Sequence, residues 1–129
     1  MWQRVIIPRF SDTDALRHIN NVAIADWFES GRRDLFKLFI PDLDPRKWNL
    51  VLAKVSIEFK QQLYYQHEVT IETAVKKIGN SSFVLQQRAL QTDRECAVAE
   101  VVAVHFDHDQ QKTVIIPDSI RTELTDHLL

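Results

Sequence analysis

The chain has 129 residues, 45% of them hydrophobic and 26% charged, which is enough for one domain with a buried core and no second domain. Sixteen Lys and Arg against eighteen Asp and Glu leave a net charge of −2. That balance argues against nucleic acid or an anionic membrane surface as the main partner. The two glycines, Gly31 and Gly79, lie too far apart for a Walker A loop, a dinucleotide fingerprint or a Gly-x-Ser-x-Gly elbow. Cys96 is the only cysteine, so an intrachain disulfide and a cysteine zinc site are excluded, and its strand-like flanks predict a buried, inert thiol. The N-terminal residues carry no signal-peptide pattern and no apolar run approaches a membrane span, so a cytoplasmic protein is expected.

Trp2 to Phe10 reads as a first strand. A polar segment, Ser11 to Asn20, precedes a helix predicted from Asn21 to about Phe39. Ile24, Phe28, Gly31, Leu35 and Leu38 form its apolar stripe, and Asp26, Glu29, Arg33 and Lys37 lie away from it. Asn20 is a good N-cap. A glycine inside the stripe costs ~1 kcal/mol against alanine, which close approach of the helix to a sheet would offset. Pro41 and Pro45 end the segment.

Period-two alternation follows. Val51, Ala53, Val55, Ile57 and Phe59 alternate with Lys54, Ser56, Glu58 and Lys60, and Val69 to Lys76 gives a further strand. A turn at Ile78-Gly79-Asn80 leads to Ser82–Leu90, and one at Thr92-Asp93-Arg94 leads to Cys96–Phe106. The last of these is apolar on nearly both parities, which predicts a central strand covered on both faces. After a turn at His108–Lys112 come Val114–Ile116 and a short helix to about His127, capped by Asp118. Short turns imply antiparallel neighbours. The fold class is therefore α+β, with the sheet curled around one long helix.

Chemistry is sought first in the polar segment. Asp12 and Asp14 stand just upstream of a helix start, where unpaired N–H groups and the helix dipole favour developing negative charge. A carboxylate with backbone donors a few residues on is the minimum kit for acyl transfer. His105-Phe106-Asp107-His108-Asp109 invites a metal reading, but His105 and His108 have opposite strand parity, so a solvated hairpin end is favoured. Glu29 and Arg32, three apart on the helix, read as a surface or interface pair.

Phe10-Ser11-Asp12-Thr13-Asp14-Ala15-Leu16-Arg17-His18-Ile19-Asn20-Asn21, followed by Trp27-Phe28-Glu29-Ser30-Gly31-Arg32, resembles the signature of hotdog-fold acyl-CoA thioesterases. The branch it is most similar to is the 4-hydroxybenzoyl-CoA thioesterase-like one. Val55–Phe59, Gln66–Thr73, Ile78–Phe83 and Ile116-Pro117-Asp118 extend the resemblance over essentially residues 1–129. It implies a single hotdog domain of five or six strands around the helix, hydrolysing an acyl-CoA to free acid and CoA. Asp14 matches the catalytic carboxylate, as nucleophile or general base. The Asn21 N–H falls where the carbonyl is polarised. His18 and Asn20 match residues that shape the loop and position water or substrate, Asp12 is structural, and Ser82 matches a position near the thioester in some members. Arg17 stands where many members have glycine, so a different loop backbone is expected, and Arg17 lies near a CoA phosphate. Ile24 replaces a common tyrosine and makes the acyl pocket more apolar. Trp48 borders that pocket, and Lys60, Lys76, Lys77 and Arg88 are further candidates for CoA phosphates.

The resemblance also implies pairing through sheet edges into a homodimer or homotetramer with the site at the interface, and no metal or redox cofactor, CoA being part of the substrate. Two other readings are a non-catalytic acyl-CoA or acyl-carrier-protein binding module, and a hotdog dehydratase or hydratase. The latter needs a histidine paired with an acid, and His18 lies in the wrong motif.

Overall fold

The computed structural model describes all of residues 1–129. Strand β1 (Trp2–Ile6) is followed by helix α1 (Asn21–Gly31), helix α2 (Arg33–Phe39) and strands β2 (Leu50–Phe59), β3 (Val69–Ile78), β4 (Ser82–Gln91) and β5 (Arg94–Asp107). A two-residue strand β6 (Lys112–Thr113) and helix α3 (Asp118–Thr125) complete the chain. All strand pairs are antiparallel, in the spatial order β1-β3-β4-β5-β2, with β6 on the end of β5. The first strand stops at Ile6, short of the expected Phe10, because Phe10–Asp12 turn into one 3-10 loop. Val114–Ile116 is not a strand; the short β6 lies just before it, at Lys112–Thr113, at the end of the expected turn. Asp118 sits inside the first turn of α3, whose N-cap is Pro117 rather than the expected aspartate.

Helix α1 lies on one face of the sheet. Most of the expected stripe is buried: Ile24, Phe28, Gly31 and Leu35 are, joined by Trp27 and Phe39, while Leu38 is half-buried. At Gly31 the helix backbone approaches the sheet closely. A Cβ there would collide with Cγ2 of Ile71 on β3 and sit 3.3 Å from Nε2 of Gln87 on β4. The predicted single helix is broken at Arg32, whose N–H bonds to both Glu29 O and Ser30 O. The cause lies in the sheet. Thr73 Oγ1 donates to Gly31 O at 3.1 Å and Gln87 Nε2 to Phe28 O at 2.9 Å, so side chains of β3 and β4 draw the last carbonyls of α1 toward them.

Arg32 corrects the sequence reading. It is not a surface partner of Glu29 but 3% exposed, with its Nη1 donating to Gln87 Oε1 at 3.0 Å. No carboxylate bonds it, and burial lowers its pKa from the arginine range.

Strand β2 is an edge strand, paired on one side only with β5. A bulge between Leu52 and Lys54 shifts its parity. Leu50 and Leu52 lie opposite His105 and Ala103, and beyond the bulge Val55, Ile57 and Phe59 lie opposite Val101, Ala99 and Ala97. All five therefore face the helix side, whereas the sequence reading had put Val51 and Ala53 on the face of Val55. The helices do not cover this end of the sheet. Leu52, Val55 and Phe59 are 39%, 45% and 44% exposed. The expectation that β5 is covered on both faces is half met. Ala97, Ala99, Val101 and Ala103 are buried, while Val98, Val102 and Val104 on the outer face are only half-buried.

Candidate active site

The segment before α1 is a small closed hairpin. The Asn20 N–H donates to Asp12 O at 2.8 Å, Thr13 pairs with Ile19, and the Asp14 N–H donates to His18 O at 2.9 Å. Asp12 is buried; its Oδ2 accepts from the Arg9 N–H at 2.8 Å and its Oδ1 faces the Arg9 guanidinium at 3.4 Å, which is a structural role. The tip is closed by Arg17 at φ 69. That is the left-handed region glycine prefers, and Arg17 adopts it with a Cβ in place. The base is fastened to the core. Ile19 is buried and its N–H donates to Leu63 O at 2.9 Å. The Leu63 loop is held by Gln91, whose side chain accepts from the Tyr64 N–H and donates to Tyr64 O and His67 O.

Asp14 is half-buried on this hairpin. Its Oδ1 accepts from the N–H groups of Leu16 at 2.8 Å and His18 at 3.1 Å. The second oxygen, Oδ2, accepts no hydrogen bond within the chain. One oxygen orients the carboxylate and the other is open. His18 packs edge-on to Tyr64, ring centres 5.7 Å apart. Asn20 caps α1 by accepting from the Val22 N–H at 2.8 Å. The next residue, Asn21, is exposed and its backbone N–H has no partner. A carbonyl oxygen reaching this point meets an open donor at the positive end of a helix.

Asn21 and Ile24 border a cleft of about 220 Å³, shared with Phe59, Lys60, Gln61 and Gln62. Ile24 is otherwise in the core. Lys60 bonds Glu95 at 2.9 Å, which raises its pKa above the usual lysine range and keeps it cationic. Arg17 is exposed at the hairpin tip. Of the other candidates for CoA phosphates, Lys76 is paired with Glu100, and Arg88 with Glu72 and Glu95. Ser82 is not brought to Asp14 within the chain. It opens β4 opposite Val104, at the other end of the sheet, where Gly79 bonds its carbonyl. His105 is buried and His108 exposed, and no three His, Cys, Asp or Glu side chains gather as a metal cluster. Cys96 is buried, and burial pushes its thiol pKa up.

The sequence reading did not find a second cleft on the helix side of the sheet. A cavity of about 540 Å³ lies between the outer flank of α1 and the start of β2. Helix α1 supplies Asp26, Glu29 and Ser30, and α2 supplies Arg33. The only prior signal for it was the polarity of that helix flank and Trp48, and Trp48 packs edge-on to Phe36 at 5.2 Å.

A curled antiparallel sheet with a helix on one face, and an aspartate hairpin feeding that helix's N-terminus, define a hotdog-fold domain of the thioesterase kind. Residues 8–124 match the model of the thioesterase-like superfamily, and the chain belongs to that family. It is similar to a predicted thioesterase from Bacillus stearothermophilus, with 38% identity and a TM-score of 0.96 over 99% of this chain and 96% of that one. It also shares its fold with a thioesterase from Thermus thermophilus solved with coenzyme A and Zn, at 20% identity and a TM-score of 0.82, covering 95% and 96% of the two chains. The uncharacterized protein YsmA of Bacillus subtilis is 27% identical over 117 residues, 90% of this chain and 80% of that protein.

Proposed function

We propose that the protein hydrolyses an acyl-CoA thioester to a free acid and CoA. The observation that carries this reading is Asp14, with one oxygen fixed by two N–H groups and the other open, on the hairpin that leads into the helix whose first N–H, at Asn21, is unpartnered. Asp14 attacks the carbonyl carbon, or takes the proton of a water that does. The Asn21 N–H holds the carbonyl oxygen as it gains charge. The C–S bond then breaks, the CoA sulfur leaves as thiolate and takes up a proton, and water supplies the acid's new oxygen. His18 and Asn20 hold the loop and the helix start in register, Ile24 lies by the substrate, and Arg17 meets the CoA end. No metal or redox group takes part. That the Thermus thermophilus relative was solved with coenzyme A supports CoA as the carrier.

The same reading includes a homodimer formed by antiparallel pairing of the free β2 edges, which would cover the exposed Leu52, Val55 and Phe59. The half-buried valines on the outer face of β5 would serve a further pairing of dimers.

The test is free-thiol release from short, long and aromatic acyl-CoAs, wild type beside Asp14→Asn. Asparagine keeps an Oδ1 acceptor for Leu16 and His18, so the hairpin persists. Loss of ~10²-fold or more is expected for a missing catalytic group. Binding of acyl-CoA with no turnover by the wild type would make the protein a binding module instead. Water addition to an enoyl-CoA without thioester cleavage would make it a hydratase.

A further inference from the structure

The hairpin that carries Asp14 rests on a loop with few backbone bonds of its own. Between Lys60 and Glu68 the chain forms neither helix nor strand. The Lys60 and Gln61 N–H groups both donate to Cys96 O, at 2.8 and 3.0 Å, which fixes the start of the loop to β5. From Gln62 to Glu68 one backbone–backbone bond remains, the one Leu63 O accepts from the Ile19 N–H at 2.9 Å. The other polar ties come from a single side chain. Gln91, the last residue of β4, is 1% exposed. Its Oε1 accepts from the Tyr64 N–H at 2.9 Å, and its Nε2 donates to Tyr64 O at 2.7 Å and to His67 O at 2.8 Å. A neutral amide supplies the acceptor and the two donors these three groups need, which a carboxylate or an apolar chain of similar size does not.

Loop and hairpin meet at two neighbouring points. Leu63 O holds the Ile19 N–H, and the Tyr64 ring packs edge-on to His18. His18 and Ile19 form the returning side of the hairpin. His18 O accepts from the Asp14 N–H at 2.9 Å, and the His18 N–H is one of the two donors that orient Asp14 Oδ1. The helix start has separate support, because Asn20 caps it and Ile24 and Phe28 anchor it in the core. A shift of Leu63 and Tyr64 therefore turns the carboxylate relative to the Asn21 N–H instead of carrying both together.

We propose that Gln91 is a positioning residue for the reaction: through residues 63–67 it fixes His18 and Ile19, and through them the direction of the Asp14 carboxylate toward a carbonyl polarised at Asn21. The inference rests on the thioesterase reading. Buried beneath the loop, Gln91 touches no substrate and acts only through the backbone it holds.

Two variants and one control test this. Gln91→Met keeps the length of the side chain and removes all three hydrogen bonds. Its kcat is expected to fall by ~10–10²-fold with KM within ~3-fold of wild type, the pattern of a reacting group displaced by about an ångström. Backbone amide exchange at His18 and Ile19 should quicken by ~10-fold or more relative to the core amides of β5. Gln91→Glu tests the donor requirement by itself. Its carboxylate would face two carbonyl oxygens, so its pKa rises, and the neutral form regains one donor. The ratio of Gln91→Glu to wild-type kcat should therefore climb several-fold between about pH 9 and about pH 5, a recovery that Gln91→Met cannot show. Thr73→Val, the control, removes a buried hydrogen bond at the far end of α1, 3.1 Å to Gly31 O, and should lower stability with kcat unchanged.

A Gln91→Met protein with wild-type kcat, exchange at His18 and Ile19 that does not change relative to β5, or a flat Gln91→Glu ratio overturns the positioning role. So does a loss of kcat in Thr73→Val as large as that in Gln91→Met, which would assign the effect to stability alone. Each of these leaves the thioesterase reading standing. A wild type that cleaves no acyl-CoA overturns that reading, and this role with it.

Discussion

Gly31→Ala is the perturbation that most directly tests how helix and sheet are joined. In an exposed helix the change would stabilise by ~1 kcal/mol through propensity. Here the new methyl group meets Ile71 Cγ2, on a buried β3 residue with no room to retreat, and crowds Gln87 Nε2 at 3.3 Å. Overpacking of this kind costs about 1–3 kcal/mol. Displacing Gln87 threatens its bonds to Phe28 O and Thr73 Oγ1, each 2.9 Å, and the Arg32 bond at 3.0 Å; a buried polar group left unpaired adds about 1–3 kcal/mol. The net expectation is a loss of about 2–3 kcal/mol, which lowers Tm by roughly 5–15 °C for a chain of this size. Urea unfolding at fixed protomer concentration reads it. Combining Gly31→Ala with Ile71→Ala, which removes the opposing methyl, should return about 1–2 kcal/mol of coupling. A single variant as stable as wild type, or a cycle with no coupling, would refute the close-approach argument.

Two further predictions concern the hairpin and the C-terminal segment. Arg17→Gly relieves a left-handed arginine at the tip and should raise stability by up to about 1 kcal/mol, the relief exceeding glycine's extra unfolded entropy; a fall in the urea midpoint would show that the arginine side chain itself holds the loop. His127 stacks on Trp2 at 3.6 Å and its Nδ1 is buried without a partner, and burial holds its pKa below the histidine range. Between that lowered pKa and about 6.5 the unfolded chain binds more protons, so stability rises with pH through this window and is lost as pH falls below ~6.5. His127→Phe keeps a ring on Trp2 and should flatten this part of the profile, measured as urea midpoints across the acid limb; an unchanged slope would assign the dependence to another group.

The apolar stripe of the helix, the succession of antiparallel strands and the Asn20 cap were legible in the sequence because each is a local pattern: a 3.6-residue period, short turns, a polar run ending in an N-cap. The closure of that polar run into a hairpin and the placing of β2 at the sheet edge were not. The break at Arg32 was not, because Thr73 and Gln87 make it from far along the chain. The same distance hid the burial of Arg32, whose spacing from Glu29 suits a surface pair equally well. The bulge in β2 was invisible for a different reason. Val51, Ala53 and Val55 alternate as a regular strand would, and only pairing with β5 reveals the extra residue. Asp14 was readable as a carboxylate upstream of the helix start, but the inequality of its two oxygens depends on the Leu16 and His18 N–H groups turning inward.

The positions of the two glycines have a consequence for the disordered form of the chain. Neither has a positive φ, and the five left-handed sites are occupied by Arg17, Leu43, Thr92, Asp93 and Gln111. Glycine serves here for space, at Gly31, and bends are imposed on residues that carry a Cβ. A chain with so few glycines samples fewer backbone states when unfolded, and loses correspondingly less entropy on folding. Strain accepted in the native turns is thus offset in the denatured ensemble, where no contact in the folded molecule records it.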